Sequence, residues 1–425
     1  MSLALSPMRS IWRLTVRLGM HNPPNSCAVT KVGLVSIAGN EWLSNLQNRN
    51  HSMMTCSGPC TSQPKLRLMK FNPPTTVRNL ATLLSATVIS CASLTAQSTA
   101  RAKPNAQMQA VLNKLGSLGG KPIESLSADD ARKQPSPADA VMAILKEDNK
   151  DAPEPVSKID NVTIELSNGD LKGRIYKPAG DGPFPIILYI HGGGWVIADL
   201  DTYDATPRAL ANGVGAIVVS AHYRQAPEHK FPAAHDDAYG AYQWVLKNGH
   251  RWGGNTKNVA VVGESAGGNL AASICIMAQA EGIQAPVHQV LIYPIADTKL
   301  DTPSYLENAT AKPLNAAMMK WFLDQTFAKP EDASDPKVAL LQAKTLKGLP
   351  SATIITAQID PLRSEGEALA KKLTADGVDV AYQNYDGVTH EFFGMGAVVD
   401  VAKEANAFVF ANLKAAFSKS TTADP

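Results

Sequence analysis

Ser265 stands in Val261-Val262-Gly263-Glu264-Ser265-Ala266-Gly267-Gly268, where an apolar run passes directly into a helical pattern. A G-x-S-x-G string at a strand-to-helix turn presents a nucleophilic serine: the turn is so sharp that flanking side chains must nearly vanish. The following helix then points its first N–H groups at the hydroxyl. The string alone recurs by chance, and a glycine-rich turn of this kind also suits a dinucleotide. That alternative requires a second glycine where Ser265 stands, and no G-x-x-x-x-G-K-[ST] phosphate loop occurs anywhere in the chain.

A second glycine-rich turn, His191-Gly192-Gly193-Gly194-Trp195, follows the apolar run PIILYI. Acyl transfer needs backbone donors aimed at the oxygen of a tetrahedral intermediate, and glycine lets the backbone approach that oxygen closely. Gly193 and Gly194, with Ala266 just after the serine, are the candidate oxyanion donors, and His191 and Gly192 frame their loop. One such donor is typically worth about 2.7–4 kcal/mol of transition-state stabilisation.

A serine hydroxyl is a weak nucleophile without a base, and the base needs a carboxylate to orient it. Of nine histidines, His390 alone lies beyond the last predicted strand, in Tyr385-Asp386-Gly387-Val388-Thr389-His390-Glu391. Asp360 ends the run ATIITAQ and is the preferred orienting acid, with Asp297 and Asp301, after HQVLIYP, as its rivals. His229, His235, Asp236 and Asp237 cluster at a helix start, where acids favour the dipole, and lack the spacing of a metal motif, so no metal is expected.

These residues need a scaffold of strands. VTIELSNGDLKGRIYKP reads as a hairpin turning at Asn168-Gly169-Asp170, and PIILYI, AIVVSAHY, VAVVG, HQVLIYP, ATIITAQ and DVAYQNY read as buried strands. TPRALANG, Ala233 to Leu246, NLAASICIMAQAEG and a final VAKEANAFVFANLKAAF carry helical periodicity. Apolar strands alternating with helices predict an α/β fold: a mostly parallel central sheet of about eight strands with both faces covered. The boundaries read from this pattern are a catalytic domain over 156–420 and linker and cap helices over 103–155, with one helix around Ala138 to Glu147.

The net charge of +2 conceals an asymmetry. Residues 1–123 hold 13 lysines and arginines and one acid, Glu41, leaving 27 bases against 37 acids in the remainder. An acidic folded part excludes a nucleic-acid partner, because phosphate binding needs clustered cations. From Met69, a basic start (Lys70, Arg78), an apolar stretch over Leu80 to Leu94 and small-residue cleavage sites read as a signal peptide spanning 69–102. Residues 1–68 then read as an untranslated or disordered extension, although the Arg-rich, acid-free MSLALSPMRSIWRLTVRLGMH is also compatible with an organellar transit peptide. Val88-Ile89-Ser90-Cys91 has the form of a lipobox, which makes Cys91 a candidate lipid-anchor site. The expected location is therefore periplasmic or secreted, with lipid-anchored or organellar as alternatives. No membrane span is expected. Cys56 and Cys60 lack two further zinc ligands, and Cys275 sits in an apolar helical stretch as packing.

With these residues in place, the chain from about Asp160 onward resembles the hormone-sensitive lipase-like family of α/β-hydrolases. The resemblance rests on HGGGW, on Tyr223-Arg224-Gln225-Ala226-Pro227-Glu228-His229-Lys230-Phe231-Pro232-Ala233-Ala234, on GESAGGN, on Asp360-Pro361-Leu362-Arg363 and on His390. It implies the α/β-hydrolase fold with an N-terminal helical cap, here residues 101–155 together with Thr302 to Phe327. It also implies cofactor-free hydrolysis of short- to medium-chain carboxylic esters by Ser265, His390 and Asp360. Three positions depart from the family pattern: Glu264 for Asp or Thr, Gln225 for Leu, and Glu391 for the Gly after the histidine. An amide, carbamate or lactone hydrolase with the same triad, or a ligand-binding homologue without turnover, remains an alternative. The sequence carries no signal for an oligomeric state.

Overall fold

The computed structural model describes residues 101–150 and 153–422. Residues 1–68 and the leader over 69–102, apart from Arg101 and Ala102, lie outside the described residues, as do Cys91, Cys27, Cys56 and Cys60.

Among the described residues, eight strands form one sheet: β1 Lys158–Ile164, β2 Leu171–Lys177, β3 Phe184–Ile190, β4 Ile217–His222, β5 Gly254–Glu264, β6 Gln289–Ile292, β7 Ala352–Ile359 and β8 Val380–Thr389. Their order is β1-β2-β4-β3-β5-β6-β7-β8. The β1–β2 hairpin is antiparallel, and β2 also runs antiparallel to β4. From β4 to β8 every pairing is parallel.

The principal helices are α1 Ala106–Ser117, α2 Pro137–Glu147, α3 Ala233–Asn248, α4 Ala266–Glu281, α5 Ala316–Thr326, α6 Arg363–Ala375 and α7 Asp400–Thr422. They cover both faces of the sheet. Along β3, Ile186, Leu188 and Ile190 join the core shared with α3, α4, α5 and α6. Ile187 and Tyr189 point to the opposite core, built with α1, α2 and α7. Burial on both faces explains why the central strands read as unbroken apolar runs rather than alternating ones.

The expected cap helices over 103–155 include α1, whose position the sequence does not single out, whereas α6 is not expected at all. In α1, Met108, Val111, Leu112 and Leu115 keep helical spacing within an Ala- and Ser-rich segment, and the Asn105 side chain caps it by accepting from the Met108 N–H at 2.8 Å. In α6 the buried face carries Glu365 and Gly366 beside Leu369, Ala370 and Leu373, so an acid and a glycine interrupt the apolar stripe. Gly366 is required there, because a Cβ would lie 2.6 Å from Thr356 Cγ2. Strand β8 runs to Thr389, beyond the expected end at Tyr385, and so delivers His390 at its C-terminal tip.

Candidate active site

Strand β5 passes into α4 through Ser265, whose backbone is held at a positive φ, with φ 57 and ψ −120. Such a conformation costs a serine about 1–3 kcal/mol and persists only where its surroundings enforce it. The flanking glycines are enforced by contact. A Cβ on Gly263 would sit 2.0 Å from the Gly267 carbonyl oxygen, and one on Gly267 would sit 2.1 Å from that of Ile190. The Ser265 N–H donates to the Ile292 carbonyl at 2.9 Å, tying the turn to β6.

Three strand ends bring the three predicted side chains together. His390 Nε2 lies 2.9 Å from Ser265 Oγ, and His390 Nδ1 lies 2.7 Å from Asp360 Oδ2. All three are buried, with exposures of 4% for Ser265, 0% for Asp360 and 3% for His390. The Asp360 carboxylate can only accept, so it fixes the imidazole proton on Nδ1 and turns the Nε2 lone pair toward the serine hydroxyl. Its other oxygen accepts from the Leu362 N–H at 2.9 Å. Neither rival acid reaches the histidine: Asp297 Oδ1 accepts from the Thr298 N–H and Gln342 Nε2, and Asp301 is exposed.

The HGGGW loop is shaped by its glycines. Gly193 and Gly194 are left-handed at φ 94 and 58. A Cβ on Gly193 would fall 2.2 Å from the Ile197 carbonyl oxygen, and one on Gly194 would fall 2.2 Å from the Phe322 ring of α5. His191 takes a framing role: its Nδ1 lies 2.9 Å from the Gly192 carbonyl and its Nε2 3.0 Å from His222 Nδ1. Burial, then the neighbouring His222, push its pKa down to about 3, which keeps the ring neutral. The Tyr223 hydroxyl donates to the Gly192 carbonyl at 2.8 Å. The departure at Gln225 has a structural purpose, since its amide donates to the carbonyls of Ile197 and Ala198 at 2.7 and 2.8 Å.

Several contributors escaped the sequence reading. Arg132, between α1 and α2, donates to the carbonyls of Val196 and Ala226 and pairs with both oxygens of Glu228. Beside the triad lies a network of buried carboxyls and tyrosines. Glu264 accepts from Tyr189 at 2.5 Å and from Tyr293, and the Tyr293 ring packs 4.4 Å from that of His390. Burial, then the charge of Glu391, push the Glu264 carboxyl up to about 7. Glu391 Oε1 accepts from Tyr203 at 2.6 Å and stands 3.8 Å from His390 Nε2. For His390, burial favours the neutral ring. Asp360 by charge and hydrogen bond, then Glu391 and Glu264, outweigh burial and hold its pKa above the ordinary value. These tyrosines had no signal beyond their apolar neighbours.

The clustered residues outside the site are structural. His235 Nε2 lies 3.0 Å from Asn269 Oδ1, Asp237 pairs with Arg224, and Cys275 is buried in α4. Among the described residues no group of three or more His, Cys, Asp or Glu is placed to hold a metal, and no helix is long and apolar enough to cross a membrane.

Residues 187–394 match the family described by the alpha/beta hydrolase fold. The chain is 34% identical to an ethyl acetate hydrolase of Pseudomonas putida over 68% of this chain and 91% of that protein. It is 40% identical to carboxylesterase NlhH of Mycobacterium tuberculosis over 58% of this chain and 79% of that one. Among solved structures it resembles a hyperthermophilic esterase from Pyrobaculum calidifontis, with a TM-score of 0.68 and 36% identity over 74% of this chain and 98% of that chain.

Proposed function

Because the chain belongs to the hormone-sensitive lipase-like family of α/β-hydrolases, we propose that it hydrolyses short- to medium-chain carboxylic esters through an acyl-enzyme on Ser265. The observation that carries this reading is the unbroken hydrogen-bonded series from Ser265 Oγ through His390 to Asp360. His390 takes the serine proton as Oγ attacks the ester carbonyl, and Asp360 stabilises the imidazolium that forms. The N–H groups of Gly193, Gly194 and Ala266 are assigned to the oxyanion. His390 then protonates the departing alcohol, and water releases the acid through the same base.

Two features favour small acyl or alcohol groups. Phe322 lies directly over Gly194, and the Pseudomonas putida relative is named for hydrolysis of a two-carbon acyl ester. The test is hydrolysis of p-nitrophenyl esters from acetate to palmitate by the wild type and Ser265→Ala. Turnover should peak at short chains and fall by about 10⁶ in kcat in the variant. Full turnover in Ser265→Ala would overturn the assignment.

Export by the leader over 69–102, with Cys91 as a candidate point of lipid attachment, is proposed on sequence alone. The mass and N-terminal sequence of the mature chain from its native host test it. A chain retaining Met69 would contradict cleavage.

A further inference from the structure

The second half of serine acyl transfer needs a water within reach of His390 Nε2, the nitrogen that must take its proton. That nitrogen has Ser265 Oγ at 2.9 Å and Glu391 Oε1 at 3.8 Å. The longer distance exceeds a direct hydrogen bond but suits two groups that share one bridging water. Glu391 is fixed in that position: its Oε1 accepts from Tyr203 at 2.6 Å. Gly192 is shaped around the same hydroxyl, since a Cβ there would lie 2.4 Å from Tyr203 Oη.

The backbone of Glu391 is left-handed at φ 70. Glycine adopts this conformation freely and a glutamate only at a cost. The strain places a carboxylate where a glycine would satisfy the chain. Beside it lies a cavity of about 40 Å³ lined by Pro137, Thr202, Tyr203, Thr206, Glu264 and Glu391 among others. One water needs roughly 10–15 Å³ and two to four polar partners, and Thr202, Tyr203, Thr206, Glu264 and Glu391 offer polar side chains in a lining that is otherwise apolar.

We propose that Glu391 is the positioning residue for the hydrolytic water, and that this cavity supplies it to the acyl-enzyme. The proposal rests on the esterase reading above. In the step it assigns, water hydrogen-bonded to Glu391 attacks the acyl carbonyl carbon and gives its proton to His390 Nε2. The resulting intermediate expels Ser265 Oγ, which recovers that proton as the carboxylic acid forms. Glu391 gains and loses nothing in the step.

The experiment is rapid-mixing and steady-state hydrolysis of p-nitrophenyl acetate by wild type, Glu391→Gln and Tyr203→Phe, at a pH on each activity plateau. In Glu391→Gln, kcat and KM should both fall about tenfold, so that kcat/KM changes less than about twofold. A burst of p-nitrophenol should precede the slowed turnover, because acylation outruns the arrival of water. Tyr203→Phe, which frees the carboxylate without moving the triad, should shift kcat in the same direction by a smaller factor and carries the test if Glu391→Gln does not fold. Equal losses in kcat and kcat/KM would place Glu391 on the base, and unchanged kinetics in a folded variant would leave it no part in deacylation; either result overturns the proposal. Failure of the esterase reading would show itself separately, as wild-type turnover that survives Ser265→Ala.

Discussion

Asp360 and His390 leave adjacent parallel strands, β7 and β8, and meet at 2.7 Å with neither side chain more than 3% exposed. The pairing sets both the tautomer and the orientation of the ring. Asp360→Asn keeps the shape but can offer its amide to Nδ1, which turns the proton-bearing nitrogen toward the serine. The expected loss is about 10⁴ in kcat with little change in KM. Steady-state kinetics with p-nitrophenyl butyrate checks it, alongside circular dichroism to confirm that the fold is retained. A loss below tenfold would mean that another acid orients the base.

The carboxyls around His390 also set the acid limb of activity. Protonated His390 cannot accept the Ser265 proton, so activity disappears as pH falls through the pKa of the ring. Because that pKa is raised in the folded protein, the limb of kcat/KM should have its midpoint above about 6.5, the unperturbed value for histidine. Asp360→Asn should move whatever limb survives to lower pH. A wild-type midpoint below that unperturbed value would contradict the balance of charge over burial at this site.

Much of this site is legible in the amino-acid sequence, for a physical reason. Ser265, Gly193 and Gly194 occupy backbone positions where few residue types fit, so contact geometry writes itself into the sequence as glycine motifs. The central strands were legible because burial on both faces leaves only apolar residues. Tyr203, Tyr293 and Glu365 were not, because each acts through hydrogen bonds to partners distant in the chain. Nothing in local spacing marks a buried tyrosine that holds a carboxyl. The leading helix α1 was obscured by its composition, and α6 by the acid on its buried face.

That acid, Glu365, gives a stability prediction. It is 1% exposed, and its Oε2 accepts from the N–H groups of Ala296 and Asp297 at 2.6 and 2.7 Å. Burial outweighs these bonds and pushes its pKa up to about 8. The folded state therefore binds this proton more tightly than the unfolded chain, whose glutamate titrates near 4.3. The stabilisation from protonation is complete below that value and is lost as pH rises through about 8. Glu365→Gln keeps an acceptor for both N–H groups and removes the titration. Thermal unfolding of the wild type should accordingly decline more steeply than that of Glu365→Gln between pH 5 and 8. Parallel curves would show that the carboxyl is not carrying a proton into the fold.

Arg132 separates the value of charge from the value of shape. Its guanidinium pairs with Glu228, but the partners are 25% and 49% exposed, so solvent screens the pair to about 0–1 kcal/mol. Its bonds to the carbonyls of Val196 at 2.9 Å and Ala226 at 2.8 Å are different in kind. They hold the segment just beyond Gly194 against the residues that precede α3, and an ammonium cannot reproduce the planar fork that makes both at once. Arg132→Lys should therefore behave like Arg132→Gln. Both should lose about tenfold in kcat as the oxyanion donors loosen, an effect smaller than deleting one donor outright. Glu228→Gln should stay within about twofold of wild type, since the exposed pair contributes little. Activity of Arg132→Lys equal to wild type, with Glu228→Gln impaired, would instead make the ion pair the working part of the contact.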